Sequence, residues 1–302
     1  MAKSALKKWA AALLAGVLVL SLFSSCSGGS VQAVMDVEKL PLNLDPQTGS
    51  DSNARPFFLN ILEGLTRKTS EGEIVLAAAK SYEVSGDGLT WRFELRPSGW
   101  SDGVAVTPDD FVFAIQRLFM AESGTKEVAK KFSALKNASA VLAGKKPVGN
   151  IGVWAEGNEV VFSLEKEEPA LLELLALTAA LPCRRDFFEE TKGSYGLSRQ
   201  NMVCNGPYAI QYWLAGEYII LRRNGSYTGS VGSCNRVLFY QTDSADWANR
   251  FAEEETNIFF SEQTVLDGKI GSQKIDSFVY CLVLNKKDGV FEEHSVFSLL
   301  GF

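Results

Sequence analysis

Between Ala79 and Phe111 the chain reads AKSYEVSGDGLTWRFELRPSGWSDGVAVTPDDF, and no other stretch restricts the fold as tightly. Tyr82 and Val84 alternate with polar neighbours, Ser85-Gly86-Asp87-Gly88 supplies a turn, and Leu89, Trp91, Phe93 and Leu95 alternate with Thr90, Arg92, Glu94 and Arg96. A period of two on both sides of a Gly-containing turn predicts a β-hairpin with one buried face. Ser101-Asp102-Gly103 predicts a second turn. Beyond it Thr107 is placed to cap a helix, with Pro108 at the first position and Asp109 and Asp110 at the positive end. Phe111, Phe113, Ala114, Leu118 and Phe119 give that helix an apolar face.

A chain of 302 residues with 46% apolar content can bury a large core and is long enough for more than one domain. Lys3, Lys7 and Lys8 precede a nearly unbroken apolar run from Trp9 to Phe23, which is shorter than the roughly 20 residues of a spanning helix and ends in small residues. It reads as an export signal over residues 1–25. Without it the chain keeps 27 basic and 36 acidic residues, a net charge of −9. An acidic body lacks the basic stripe that a phosphate backbone requires, so nucleic acid is not expected as a partner. His294 is the single histidine, and no HExxH or CxxC spacing occurs. Catalytic zinc and His-based triads are therefore disfavoured; no metal or cofactor is expected, and His294 reads as an ordinary surface residue.

Several of these residues carry a family resemblance. Ala79, Ser81, Tyr82, Ser85, Asp87-Gly88-Leu89-Thr90-Trp91, Phe93, Leu95-Arg96, Trp100-Ser101-Asp102-Gly103, Thr107 and Asp110-Phe111 resemble the signature of the family 5 extracellular solute-binding proteins, the oligopeptide- and dipeptide-binding receptors of bacterial ABC importers. Leu42-Asn43-Leu44-Asp45-Pro46 resembles the element that opens mature members, and Leu62-Glu63-Gly64-Leu65 their step into the next domain. Asn205-Gly206-Pro207-Tyr208, Trp213, Leu221-Arg222-Arg223-Asn224 and Tyr227 resemble a later motif. Leu135-Lys136-Asn137-Ala138 and Ala143-Gly144-Lys145-Lys146 resemble the oligopeptide branch. Leu22-Phe23-Ser24-Ser25-Cys26 resembles a lipobox, with Phe23 where leucine is usual, so Cys26 would be lipidated and 26–30 would form a tether at the membrane.

The resemblance implies an α/β fold of the periplasmic-binding-protein type II kind: a mixed-sheet lobe (31–62 and 182–277), an inserted α+β domain (63–181) and the start of a third domain (278–302). The sequence then stops where members continue through a second ligand lobe. On this reading the chain is one jaw of a receptor for oligopeptides, serving ABC permease transmembrane subunits and unable to close on ligand alone. Ser50, Asp51, Ser52 and Asn53 would line the groove, or form a solvated surface loop. Asn205 and Tyr208 would lie near the groove, or serve the core, and Ser261 and Glu262 would form the turn beside the ligand. No catalytic residue is implied. An exported hydrolase using Asp109 with Asp110, or Glu292 with Glu293, is the contrasting reading, as is a signalling or adhesion lipoprotein derived from a receptor. Adjacent carboxylates on a helix do not face each other, which weighs against the hydrolase.

Other elements are read from periodicity. A first strand is expected at Val31–Val37, a helix at Phe57–Leu65, helical spacing at Thr125–Leu142 with Val128, Phe132, Leu135 and Ala138 on one side, and a hairpin over 151–164. Glu168-Pro169 is expected to open a helix through Leu177. Outside the signal, Cys183, Cys204, Cys234 and Cys281 are an even set in an exported chain. A Cys183–Cys204 bridge and free buried thiols are both open.

Overall fold

A computed structural model describes residues 32–48, 54–69, 72–120, 126–231, 234–253, 255, 258–261, 271–275 and 280–284, the last three stretches as backbone. Among the described residues no helix is long and apolar enough to cross a membrane.

Two sheets organise the chain. The larger has seven strands in the order β12-β13-β11-β1-β10-β9-β8. These are β1 (Gln32–Val37), β8 (Tyr208–Leu214), β9 (Tyr218–Arg223), β10 (Arg236–Gln241), β11 (Ile258–Ser261), β12 (Gly271–Ile275) and β13 (Tyr280–Leu284). β1 runs parallel to both β10 and β11, and the other pairings are antiparallel. Strand β1 is thus the centre of a parallel trio, and its apolar residues Ala33 and Met35 are fully buried. A helical crossover (Trp247–Ala252) between β10 and β11 lets both run parallel to β1, which lies between them.

The smaller sheet is antiparallel, in the order β4-β5-β7-β6, with β4 (Ala79–Val84), β5 (Thr90–Leu95), β6 (Val153–Glu156) and β7 (Glu159–Ser163). The two-stranded ribbon β2 (Thr66–Lys68) and β3 (Ile74–Leu76) precedes it. Its core draws on residues from Leu65 to Ala180, including Phe93, Phe111, Phe132, Val160 and Phe162. The expected hairpin and capped helix are present, the helix over Pro108–Leu118 with a capping box between Thr107 and Asp110. The buried face expected on the first hairpin strand is not. Tyr82 and Val84 are each 41% exposed. The Pro108–Leu118 helix packs on β6 and β7, so the edge strand β4 lies beyond its reach. Tyr82 instead stacks on Trp91 and Phe93, with ring centroids 5.7 Å away in each case.

Other elements are shorter than their periodicity suggests. The helix at 57–65 spans Arg55–Ile61 and ends in an extended Leu62. The helical pattern over 125–142 divides into Lys126–Lys131 and Ala138–Leu142, although Phe132, Leu135 and Ala138 are buried as expected. Between the two helices Leu135 bridges Leu164, the Lys136 N–H donates to the Ser163 carbonyl at 2.8 Å, and Asn137 takes a left-handed φ of 65°. The close approach needs Gly152, where a Cβ would meet the Ser163 oxygen at 2.3 Å. The helix expected through Leu177 covers Leu171–Leu175, followed by a single 3-10 turn at Thr178–Ala180. β12 has no counterpart among the expected strands. Tyr280–Leu284 pairs with β11.

A candidate ligand-binding edge

In an α/β sheet, ligands favour the crevice outside the carboxyl ends of parallel strands. Here those ends are Val37, Gln241 and Ser261. The register places Asp36 opposite Tyr240 on one side and Phe259 on the other, so β1, β10 and β11 finish at nearly one level. Glu38, Gln241, Thr242, Asp243 and Ser244 line a hollow of about 320 Å³ at this edge. Among the described residues its lining side chains are polar. The Thr242 N–H donates to the Val37 carbonyl at 3.0 Å, and Gln241 Oε1 accepts from the Leu40 N–H at 2.9 Å, which fixes the exit of the chain from β1. One residue earlier, Asp36 is fully buried. Its Oδ2 accepts from Arg250 Nε at 3.1 Å, and Arg250 also reaches Glu255 at 2.7 Å, whereas Asp36 Oδ1 has no partner among the described residues.

The segment leaving this edge is fastened from below. Asp45 and Arg117 form a two-pronged ion pair, Nη1 to Oδ1 at 3.0 Å and Nη2 to Oδ2 at 2.6 Å, both residues being about 4% exposed. Burial works against the Arg117 charge, but the Asp45 carboxylate more than offsets it and the guanidinium pKa is raised. Arg117 Nη1 also donates to Gln47 Oε1 at 2.6 Å and to Cys183 Sγ at 3.3 Å, and the group lies 4.0 Å over the Phe188 ring. Gln47 Nε2 donates onward to the carbonyls of Ala179 and Leu181.

A second node fastens the Leu62–Leu65 crossover between the sheets. Arg96 is hydrogen bonded to Glu63, Tyr227 Oη donates to Glu63 Oε1 at 2.6 Å, and the Arg96 guanidinium lies 4.8 Å over the Tyr227 ring. Burial raises the Glu63 pKa against the pull of Arg96 and Tyr227. Arg96 and Tyr227 were visible in the sequence only as motif letters; their convergence on Glu63 gives those letters a physical reason.

Of the residues singled out from sequence, Asn205 is buried, its amide donating to the Glu63 carbonyl at 2.9 Å and accepting from the Glu63 N–H at 3.0 Å. Tyr208 is buried too, and donates to the Cys234 carbonyl at 3.0 Å. Ser261 ends β11 at the carboxyl edge. Ser50, Asp51, Ser52, Asn53, Glu262, Cys26, His294 and the Glu292–Glu293 pair lie outside the described residues. The Asp109–Asp110 pair does not share a cleft: Asp109 is exposed, while Asp110 is buried and accepts from Trp100 Nε1 at 3.0 Å and from the Thr107 N–H at 2.8 Å. The Cys183–Cys204 bridge is not formed. Both thiols are free and buried, and burial pushes each pKa up to about 12, which keeps them unreactive. Sequence reasoning missed Glu38 and Thr242–Ser244, which carry no motif and owe their place to strand topology.

A mixed sheet with a polar hollow at its parallel carboxyl edge, joined to a second sheet through one buried and one half-buried ionic node, has the architecture of a solute-binding-protein lobe. The family model for bacterial extracellular solute-binding proteins, family 5 (Middle), matches residues 73–296, and the chain belongs to that family. It is 31% identical over 224 residues to the probable deoxycholate-binding periplasmic protein YgiS of Escherichia coli, covering 72% of this chain and 42% of that protein. It is 34% identical over 171 residues to a dipeptide-binding protein of Lactococcus lactis, covering 56% and 31%. The substrate-binding domain of an oligopeptide ABC transporter from Bacillus anthracis superposes with a TM-score of 0.74 at 28% identity, covering 80% of this chain and 47% of that one. The fold is therefore of the periplasmic-binding-protein type II kind, and the chain spans less than half the length of each of these three proteins. Members of the family are extracytoplasmic.

Proposed function

We propose that this chain supplies one jaw of a receptor that captures oligopeptides for an ABC importer, tethered to the membrane through a lipidated Cys26. The ligand lies along the carboxyl edge of the parallel trio, and Ser50–Asn53, Ser261 and Glu262 are the residues assigned to main-chain hydrogen bonding with an extended peptide. Residues 63–181 act as an inserted domain carried by the sheet that β1 centres. Asn205 and Tyr208 have their polar atoms committed to Glu63 and Cys234, and Tyr208 begins β8 level with the amino end of β10.

The observation that carries this reading is the chemistry of the edge. Among the described residues its hollow is lined by the polar side chains of Glu38, Gln241, Thr242, Asp243 and Ser244. A steroid such as deoxycholate requires an apolar surface to bury, whereas a peptide backbone requires hydrogen-bonding partners. The test is hydrogen exchange followed by mass spectrometry on the full chain, with millimolar pentaalanine or deoxycholate. Pentaalanine is expected to slow exchange over 38–48 and 241–246, and deoxycholate to leave those segments unchanged. Protection by deoxycholate alone would overturn the proposal.

A further inference from the structure

Arg222 and Arg236 stand directly opposite one another on neighbouring strands, a placement in which like charges destabilise a sheet. Neither forms an ion pair among the described residues, and Arg236 Nε is buried there without a hydrogen-bond partner. Arg223, the next residue, alternates to the other face and donates from Nε to the Cys234 carbonyl at 3.0 Å. All three lie at one end of the seven-stranded sheet. Arg236 begins β10 beside Gln32, which begins β1, and Arg222 and Arg223 close the antiparallel β9. From Arg199 to Gly216 and from Tyr218 to Thr242 the chain has no Asp or Glu, although it has 36 over its whole length. Strands β8, β9 and β10 therefore carry three arginines and no acid. The loop after β9 meets the Glu63 carboxylate through Tyr227, and Arg96 pairs with it. The acids Glu38 and Asp243 stand at the opposite, carboxyl end. The sheet is thus positive where β1 begins and negative where it finishes.

Gln32 is six residues from Cys26, and a chain of that length spans at most about 20 Å. With Cys26 in the bilayer, the amino end of the sheet stays within that distance of the headgroups. A few arginines bind an anionic surface weakly by themselves, but a tether keeps them at high local concentration beside it. We infer that Arg222, Arg223 and Arg236 form a docking surface for anionic lipid headgroups, so that the sheet stands with its amino end on the bilayer and its peptide-binding edge about 17 Å further out. The inference rests on the lipid tether proposed above. Repulsion of Glu38 and Asp243 from the same headgroups favours the same orientation.

The test takes the chain from bacterial membranes, where its intact mass shows whether Cys26 carries lipid, and places it in vesicles of phosphatidylcholine alone or with about 30% phosphatidylglycerol. In the anionic vesicles at low salt, hydrogen exchange over 222–231 and 234–236 is expected to slow about threefold or more. It is expected to recover in about 0.5 M salt, and exchange over 241–246 to stay unchanged throughout. The double variant Arg222→Gln/Arg236→Gln is expected to melt within about 5 °C of wild type and to lose the slowing. Should it not fold, Arg222→Gln alone, at an exposed position, is read instead, with about half the slowing expected. A mass without lipid overturns the tether, and the inference with it. Equal exchange in the two kinds of vesicle, with lipid present on Cys26, overturns the inference alone. So does undiminished slowing in the variant, or slowing at 241–246. Slowing by millimolar inorganic phosphate in phosphatidylcholine vesicles would assign the arginines to a soluble anion and also overturn it.

Discussion

Asp45 and Asp110 are both buried carboxylates within motifs of the sequence, and their surroundings solve the problem of burial in opposite ways. Asp45 faces a guanidinium that supplies two charged donors. Asp110 accepts from neutral donors, the Trp100 indole and the backbone and hydroxyl of Thr107, and burial pushes its pKa up to about 6 from 3.8, with Arg184 pulling it down from a distance. The first region is held by charge, and its cost appears when a partner is removed. The second is held by hydrogen bonds that an uncharged group can also make, so its cost is the charge itself. A motif aspartate is therefore not one device: the same residue type serves as an ionic anchor in one place and as a cap and indole acceptor in another.

The sharpest way to break this comparison is Arg117→Met. It strands the Asp45 carboxylate in the interior, and we expect a loss of about 3–5 kcal/mol at pH 7 in urea unfolding. A loss below about 1 kcal/mol would mean that Asp45 is not held by charge. Asp110→Asn should act in the reverse direction. A folded-state pKa above the ordinary value means that the contribution of Asp110 is fully present below about 3.8 and is lost as pH rises through about 6. The Trp100 Nε1 and Thr107 N–H donors reach the same oxygen, Oδ2, which an asparagine carbonyl can replace. The variant is therefore expected to be more stable than wild type at pH 7.5 by up to about 3 kcal/mol, with the difference vanishing near pH 4. Unfolding curves at the two pH values check it, and a variant less stable at pH 7.5 would overturn it.

The same contrast explains what could be read from the sequence. The Asp110 region is local: Gly-containing turns, Thr107, Pro108 and the acidic first turn lie within a few residues, so the hairpin and the capped helix were legible. The Asp45 node joins positions 72 residues apart, and nothing local to either announces the other. The one signal was Arg117 itself, four residues after Phe113 on the apolar stripe of its helix. Long-range placement also decided the misses. Tyr82 alternates as a core residue would, yet it sits on an edge strand that the helix does not cover. The 125–142 stretch has helical spacing throughout, but pairing of Leu135 and Lys136 with 163–164 outweighs it. Of the candidate edge, Ser261 was singled out through the family resemblance, while Glu38 and Thr242–Ser244 become neighbours only through parallel pairing of β1 with β10.

Two smaller substitutions sharpen the comparison. Gly196 has φ +75°, and a Cβ there would meet the Asp45 nitrogen at 2.4 Å. Gly196→Ala is expected to cost about 2–3 kcal/mol at any pH from 4 to 8, because the strain is steric; a marked pH dependence would show that it acts through the ion pair. Arg184→Gln is expected to have the smallest effect. Arg184 pairs with Asp102 at 2.6 Å and with the exposed Asp186 at 2.8 Å, and partly exposed pairs of this kind contribute about 0.5–1 kcal/mol. Its removal also takes away the charge that lowers the Asp110 pKa. The Asp110 titration, followed through its side-chain carboxyl carbon by NMR, should then move further above 6, while the stability lost on Arg117→Met is the same in either background, since sites without shared partners add. A titration that stays in place would mean that desolvation and the hydrogen bonds set the Asp110 value without Arg184, and a coupled loss would mean that the two acids belong to one network.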